Sequence, residues 1–287
     1  MTSAAATSDS AAERSLGRTF LVLWLAISAV ATPLVAVFVG RLIPPGNGSE
    51  QATSQVFDNQ VLMAVSTPIF VFVVLFIVFA AFAFSNRTGE VVEGAPLRGN
   101  MRIQVLWMVV TTATVLFMAV FGTIELVGDG AGGGQGPTAA FVPSGSKDAL
   151  DVQVIGQQWE FTYRYPSAGG VETPRLELPA NTLVRFHVTS LDAVHSFWAY
   201  ELGVKADANP GTDNVVYVRT KGPLTIHVRC AELCGLWHGY MFDTGAVVPK
   251  AAFATWLQRQ RTMYGPVMRY LPKYAPSYVP DPQLRAG

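Results

Sequence analysis

The side chains best suited to bind a metal are concentrated in one short stretch of the chain. It contains both cysteines of the protein, Cys230 and Cys234, followed by His238 and Met241. A further histidine, His195, opens the upstream segment HSFWAYELGVKADANPG. Thiolate, imidazole and thioether groups together form the ligand set of soft or borderline metals, with copper first among them. We therefore expect a metal site here, and copper is the metal that these ligands favour.

The residues alone leave four other interpretations open. A disulfide between Cys230 and Cys234 is possible outside the cytoplasm, but it gives the histidines and Met241 no role. A tetrahedral zinc site fits the cysteine spacing, although zinc does not need a thioether. A mononuclear blue-copper site uses one thiolate and would leave the second sulfur idle. A copper-delivery protein of the thioredoxin type would alternate strands with helices, whereas strands dominate here.

The region around this stretch is predicted to be a β domain spanning residues 148–262. Short β-branched and aromatic segments recur between turn residues, which is typical of a β-sandwich or barrel. The predicted strands are 152–155, 159–165, 175–178, 183–189, 215–218, 224–228 and 246–248. The two cysteines would lie on a loop between the last two strands, and His195 on a neighbouring loop. Residues 249–260 have helical spacing, and residues 263–287 are predicted to form an extended tail.

The composition predicts that another part of the chain lies in a membrane. Half of the 287 residues are hydrophobic and 14% are charged, against about 25% charged in a typical soluble protein. Crossing a bilayer takes about 20 apolar residues, so we predict transmembrane helices at about 20–40, 61–84 and 105–124, within a membrane region of residues 19–127. The first run could instead be a cleaved signal peptide, but its length and the lack of an A-x-A site favour a retained helix.

The distribution of arginines predicts the orientation of these helices. Arg14 and Arg18 precede the first helix and Arg87, Arg98 and Arg102 lie between the second and third, but only Arg41 lies between the first and second. Because positive charge favours the cytoplasmic side, the β domain is expected outside. Residues 1–18 are predicted to be a disordered cytoplasmic tail and 128–147 a Gly-rich linker. Twenty basic and 20 acidic residues cancel, which argues against nucleic-acid binding.

The string C-x-E-x-C-G-x-x-H-x-x-M, with the upstream H-S-F-W and G-V-K-x-D-A-x-P-G, resembles subunit II of cytochrome c oxidase. The resemblance covers residues 58–256 and implies a cupredoxin-like Greek-key sandwich that carries the binuclear copper centre CuA. By position, it implies that His195 and His238 each bind one copper and that Cys230 and Cys234 bridge both. It also implies that Met241 and the backbone carbonyl of Glu232 are weak ligands, and that the Glu232 side chain reaches a magnesium ion at the contact with subunit I.

The same resemblance implies an electron-relay function. Trp159, in the segment GQQWEFTY, matches the tryptophan through which the family accepts electrons from cytochrome c. The copper centre would pass them to haem in subunit I, where oxygen is reduced and protons are pumped. The chain would thus be part of an oxidoreductase and proton-translocating enzyme without oxygen chemistry of its own. The implied partners are subunits I and III, cytochrome c and the lipid bilayer. The implied location is the plasma membrane of a bacterium, with the copper domain on the extracytoplasmic face.

Charge and sequence position predict roles for several further residues. The carboxylates of Asp192, Glu201 and Glu160 are candidates for steering a basic cytochrome c. Lys205 and Asp207 match a family segment that faces subunit I, with a plain salt bridge as the alternative. His187 and His227 fall inside predicted strands and are expected to be structural.

The sequence departs from the family pattern in two places. Gln104 replaces a glutamate, three residues before Trp107, that feeds a proton path, and Thr212 replaces an arginine after Pro210 and Gly211. Two other functions stay open. The CuA subunit of a nitric oxide reductase would share every ligand, and a membrane-anchored copper chaperone would bind copper reversibly. A quinol oxidase subunit would lack the ligands that are present here.

Overall fold

The computed structural model of the chain describes residues 2–43, 46–83, 85, 99–129, 142–268 and 270. The fold divides into two compact units. The first comprises Met1–Ile43 and Phe57–Ala119, and the second comprises Pro44–Val56 and Val120–Gly287.

Three long helices carry the apolar runs. They are α1 (Thr2–Leu34, continued by one π-helical segment, Val35–Val39), α2 (Glu50–Ala83) and α3 (Met101–Asp129). Their segments Ser15–Val39, Glu50–Ala83 and Met101–Val127 are long and apolar enough to cross a membrane. These helices and the β-sandwich formed by residues 150–248 confirm the predicted fold class.

The helix ends differ from the predicted ones. Residues 2–18, predicted to be disordered, are helical, and their many alanines explain this because alanine has the highest helix propensity. Helix α3 runs through Asp129 into the predicted linker. Most of that linker, residues 130–141, lies outside the described residues, and Ser146–Asp148 near its end form a 3₁₀ turn.

Aromatic side chains pack α1 against α2 within the first unit. The ring of Phe20 meets Phe72, Phe76 and Phe79 edge-on, with centroid distances of 5.4, 6.1 and 5.6 Å. The indole N–H of Trp24 donates a hydrogen bond of 2.8 Å to the carbonyl of Pro68 inside α2. Because few polar groups are available in such apolar helices, this bond fixes their register.

Ten strands form a sandwich of two five-stranded sheets. The strands are β1 (Leu150–Gln157), β2 (Glu160–Tyr165), β3 (Val171–Thr173), β4 (Glu177–Pro179), β5 (Leu183–Ser190), β6 (His195–Ala199), β7 (Val204–Ala208), β8 (Asn214–Arg219), β9 (Leu224–Cys230) and β10 (Phe242–Val248). The sheet orders are β3-β2-β1-β5-β8 and β4-β10-β9-β6-β7. Pairs β1–β5 and β4–β10 are parallel, and the others are antiparallel. The inner faces share one core that includes Phe186, Phe197 and Ile226.

The β domain contains more structure than the sequence predicted. Strands β3, β6 and β7 were not predicted, and His195 begins β6 rather than lying on a loop. Helix α4 (Lys250–Met268) continues beyond residue 260, because Leu257, Tyr264 and Met268 keep helical spacing and pack against the core. Residues 263–268 are therefore helical where an extended tail was predicted. Residues 271–287 lie outside the described part of the chain.

Candidate metal centre

Strand β9 and the loop after it bring the two cysteines to the edge of the core. Cys230 is the last residue of β9, and Met241 immediately precedes β10. The backbone N–H of Cys230 donates a 3.0 Å hydrogen bond to the carbonyl of Met241. The antiparallel ladder thus closes the loop at its base, so that residues eleven positions apart in sequence become neighbours.

Sulfur and nitrogen atoms converge inside this closed loop. The Sγ atoms of Cys230 and Cys234 are 3.7 Å apart. From Cys234 Sγ, the distances are 3.6 Å to Nδ1 of His238 and 3.7 Å to Sδ of Met241. Nδ1 of His195 lies 3.9 Å from Cys230 Sγ. The structure therefore brings together all five of the side chains whose types suggested a metal site.

This cluster is shielded from water. His195 is 0% exposed, Met241 2%, Cys234 3% and Cys230 8%, while His238 is half-buried. Among the described residues, His195, Cys230 and Cys234 form the group whose ligand atoms lie within 4.8 Å of one another. Buried polar groups without partners are costly, so this arrangement of donors facing each other suits a bound cation.

The backbone carbonyl of Glu232 lies beside the ligand cluster, whereas its side chain lies at the surface. Its carbonyl oxygen lies 3.1 Å from Cys230 Sγ, next to the ligand cluster. Its side chain is exposed, with Oε1 accepting a 3.2 Å hydrogen bond from the backbone N–H of Leu233. The carbonyl is therefore placed to act on a metal at the cluster, and the carboxylate is left toward solvent.

A carboxylate fixes the orientation of His195. Nε2 of His195 lies 2.9 Å from Oδ1 of Asp192, which turns Nδ1 toward Cys230. Asp192 also accepts hydrogen bonds from the backbone N–H groups of Gln158 (2.8 Å) and Ala193 (2.6 Å). Outer carboxylates of this kind fix the tautomer of a ligating histidine and raise its basicity. Asp192 was predicted to steer cytochrome c, and no signal in the sequence indicated this contact with His195.

The two thiols differ in acidity. Burial works against ionisation of Cys230, but its hydrogen bond with His195 lowers the pKa to about 6. Burial and the neighbouring Cys230 raise the pKa of Cys234 to about 12. In the metal-free pair, Cys230 is therefore the thiol that loses its proton more easily. A coordinated metal would deprotonate both thiols, because metal binding deprotonates a thiol outright.

The turn between β1 and β2 covers the ligand loop. Gln158 Nε2 donates a 2.8 Å hydrogen bond to the carbonyl of Cys234. Gly235 has a φ of +120°, and a Cβ there would lie 2.8 Å from Gln158 Nε2 and 3.3 Å from Trp159 Nε1. The φ of +120° is a backbone conformation that residues with a side chain rarely adopt, so glycine is the residue suited to this position. The half-buried indole of Trp159 thus lies directly against the residue that follows Cys234, and its Nε1 has no hydrogen-bond partner among the described residues.

The other residues singled out from the sequence are dispersed. Glu160 accepts a hydrogen bond from Gln157 near Trp159. Glu201 instead binds His227, at 2.8 Å from its backbone N–H and 2.6 Å from Nδ1. The ammonium of Lys205 lies 5.7 Å from the ring centre of Trp198.

The other predicted residues are His187, expected to be structural, and the α3 residues Gln104 and Trp107. His187 lies between two carboxylates, 2.8 Å from Asp213 and 3.7 Å from Asp151. Gln104 and Trp107 lie on exposed positions of α3.

Comparison with known proteins gives the following matches. The family model for the periplasmic domain of cytochrome c oxidase subunit II matches residues 171–247. Cytochrome c oxidase subunit 2 of Thermostichus vulcanus is 26% identical over 286 residues, covering 84% of this chain and 86% of the relative. The same subunit of Cereibacter sphaeroides is 26% identical over 283 residues, covering 83% and 88%. Among solved structures, the periplasmic domain of subunit II of cytochrome oxidase (CoxB) of Bradyrhizobium japonicum is 28% identical, covering 40% of this chain and 95% of that chain, with a TM-score of 0.39.

Fold and site together define a membrane-anchored β-sandwich with a buried thiolate, imidazole and thioether cluster. Both curated relatives align with more than four fifths of the chain. The predicted resemblance to cytochrome c oxidase subunit II is confirmed, because residues 171–247 match the family model and curated proteins of that name are similar over most of the chain.

Proposed function

We propose that this chain is the electron-relay subunit of a cytochrome c oxidase, with a binuclear copper centre of the CuA type at the cluster. The observation that carries this proposal is the pair of buried Sγ atoms 3.7 Å apart, surrounded by imidazole and thioether donors. One mononuclear copper would need only one of these thiolates. Two sulfur atoms held side by side are suited to being shared by two ions.

The donor set fits this group in number and in chemistry. Cys230 and Cys234 would bridge, His195 and His238 would each bind one ion, and Met241 and the Glu232 carbonyl would be weak ligands. When bound, such a centre supplies one-electron transfer with the electron shared between both metals. The five side-chain donors are soft or borderline, which is the ligand character that distinguishes copper from calcium or magnesium, and the Glu232 carbonyl is the one hard donor of the proposed set.

The surrounding residues keep the ligands in one geometry. The β9–β10 ladder holds Cys230 beside Met241, and Asp192 holds the imidazole of His195. The buried position of the cluster excludes water. A site that neither moves nor exchanges water on a change of charge has a small reorganisation cost, and this favours rapid relay over substrate chemistry.

We propose that electrons from cytochrome c reach this centre through Trp159. The indole lies against Gly235, the residue after Cys234, so it connects the surface to a proposed bridging ligand. The exposed carboxylate of Glu160 is adjacent in sequence and could steer a basic partner. The acceptor would be haem in subunit I, where oxygen reduction is coupled to proton pumping, in a complex that also contains subunit III.

Three finer proposals follow from the same assignment. The exposed carboxylate of Glu232 would bind magnesium at the contact with subunit I. The three apolar helices would place the chain as a multi-pass protein in a bacterial plasma membrane, with the β domain outside. Gln104 cannot act as an acid, so Glu90 or Glu93, which lie outside the described residues, would take over proton uptake.

Metal analysis of the full chain in detergent tests the central proposal. We expect two copper ions per chain and an electron paramagnetic resonance spectrum in which one unpaired electron is shared equally between both. Cys230→Ser should abolish this shared signal, because one bridge is lost. One copper per chain, bound zinc, or cysteines that form a disulfide again instead of binding copper after reduction would reject the relay assignment.

The burial of the ligands also favours a relay over a copper chaperone. A chaperone must release its metal to a partner, whereas His195, Cys234 and Met241 are at most 3% exposed. Copper that transfers to a chelator within seconds, as expected for a delivery protein, would contradict the relay. Oxygen consumption by the assembled complex, compared with nitric oxide consumption, separates the oxidase from a nitric oxide reductase with the same ligands.

A further inference from the structure

Gln158 makes two hydrogen bonds that end on opposite sides of the ligand cluster. Its side-chain Nε2 donates to the carbonyl of Cys234 at 2.8 Å. Its backbone N–H donates to Oδ2 of Asp192 at 2.8 Å, and the other oxygen of that carboxylate lies 2.9 Å from Nε2 of His195. One residue on the β1–β2 turn is thus linked to a ligand from the β9–β10 loop and to a ligand from β6.

We propose that Gln158 is a positioning residue that fixes the ligand loop relative to His195. The base of the loop is already closed by the bond between Cys230 and Met241. Cys234 lies in the middle of the loop, where no strand pairing holds the backbone. The hydrogen bond from Gln158 attaches this middle part of the loop to the β1–β2 turn. The inference deepens the proposed copper function, since it names the group that keeps the second bridging sulfur in place.

Gln158 and Gly235 both lie at the surface, and the backbone of the loop comes very close to the Gln158 amide there. A Cβ at Gly235 would lie 2.8 Å from Gln158 Nε2, a distance that real Cβ atoms essentially never show. The loop therefore approaches the amide as closely as a backbone without a side chain allows. Asp192 and Gln158 also meet through a backbone N–H, so replacing the Gln158 side chain removes the bond to the loop and leaves the bond to Asp192.

The neighbouring residue provides a matched control. Gln157 is also a glutamine, and its side-chain amide also makes one 2.8 Å hydrogen bond, but to the exposed carboxylate of Glu160 and not to the loop. Gln157→Met and Gln158→Met therefore remove equivalent side-chain bonds at adjacent positions. Only the second should release the loop.

The first measurement uses the full chain in detergent without metal and under reducing conditions. Cys234 is 3% exposed, so a thiol reagent can reach it only when the loop opens, and the rate of modification reports that opening. Losing one hydrogen bond should raise the opening equilibrium by about three- to tenfold. We expect Gln158→Met to increase the modification rate of Cys234, resolved from Cys230 by peptide mass spectrometry, by about that factor, and Gln157→Met to leave it unchanged.

The second measurement uses the copper-loaded chain and separates this inference from the proposed function. Gln158→Met should retain copper but change the hyperfine pattern of its resonance spectrum and its reduction potential, which Gln157→Met should not. Equal Cys234 modification rates in both variants and the wild type would overturn the role of Gln158, whatever copper does. A wild-type chain that binds no copper would reject the proposed function, while the thiol rates would still decide on Gln158.

A second variant, Gln158→Glu, keeps the test possible if Gln158→Met does not fold. Gln158→Glu has the same shape but cannot donate while its carboxylate is charged. If Gln158→Met loses its β-sheet circular dichroism, Gln158→Glu should show the increased Cys234 rate at pH 8 and a smaller increase at pH 4, where a protonated carboxyl can donate again. A rate equal to that of the wild type at both pH values, measured relative to Gln157→Met, would refute the inference.

Discussion

His187 makes the stability of the β domain depend on pH in a direction that the structure determines. Its side chain is 12% exposed, and its ring lies 2.8 Å from Asp213 and 3.7 Å from Asp151. Burial alone would lower its pKa, but the two carboxylates raise the pKa from 6.5 to about 9. A histidine whose folded pKa is raised stabilises the fold fully below its unfolded pKa, and this contribution is lost as the pH rises through the folded value.

The size of the effect follows from the shift. The difference between 6.5 and about 9, at 1.36 kcal/mol per pKa unit, gives about 3 kcal/mol, which is an upper figure because Asp151 is also paired with Arg185. His187→Gln removes the titrating group. We therefore expect the free energy of unfolding of the wild type, minus that of His187→Gln, to fall by about 3 kcal/mol between pH 6 and pH 10.

The difference between variants is needed because the thiols titrate in the same interval. In the metal-free protein, the lowered pKa of Cys230 adds stability as the pH rises from about 6 toward 9, which opposes the loss at His187. That contribution is the same in the wild type and in His187→Gln, so it cancels in the difference. Unfolding by urea, followed by tryptophan fluorescence of the full chain in detergent at several pH values, gives both curves.

His227→Gln is the control for this experiment. His227 also contacts a carboxylate, Glu201, but it is half-exposed, with 45% of its side chain accessible. This variant shows whether replacing a histidine beside a carboxylate is enough by itself to change the pH dependence. A constant difference between the wild type and His187→Gln from pH 6 to pH 10 would show that His187 is not charged in the folded protein, and the reasoning would be refuted.

Three further variants test the cluster and its surroundings. Gly156→Ala should disturb copper binding, because a Cβ at this position would lie 3.1 Å from Cδ2 of His195; unchanged copper affinity and spectrum would show that the ring can shift freely. Met241→Leu should retain both coppers and change the reduction potential, since a weak axial ligand tunes a site more than it holds one; loss of all metal would contradict this. Trp159→Ala should slow electron uptake from cytochrome c in stopped-flow measurements without altering the copper spectrum, and an unchanged rate would move the route elsewhere.

The ligand types were predictable from the sequence because they are close together and chemically unusual. Cys230, Cys234, His238 and Met241 occur within one loop, so no knowledge of the fold was needed to group them. His195 lies outside the loop and was proposed as a ligand from its residue type, whereas the role of Trp159 required the family resemblance. The apolar helices were equally predictable from the sequence, because a long run of apolar residues is a strong local signal.

The missed elements lack the local signals on which such predictions depend. Strand β6 is buried at four of its five positions, so it does not show the alternation of a half-exposed strand. Strand β3 has only three residues. The contacts of Asp192 and Gln158 depend on two turns that meet only in the folded sandwich, and no spacing in the sequence indicates them.

The precision of the site comes from strand register as much as from the loop. Phe197 of β6 pairs with Cys230 of β9, and side chains two positions apart on a strand share a face. His195 therefore points to the same side as Cys230 because it precedes Phe197 by two residues. A slip of one residue between β6 and β9 would turn the imidazole to the opposite face. The β9–β10 pairing sets the other ligands in the same way, so a loop of irregular backbone is fixed at both ends by regular sheet, and Gln158 needs to hold only its middle.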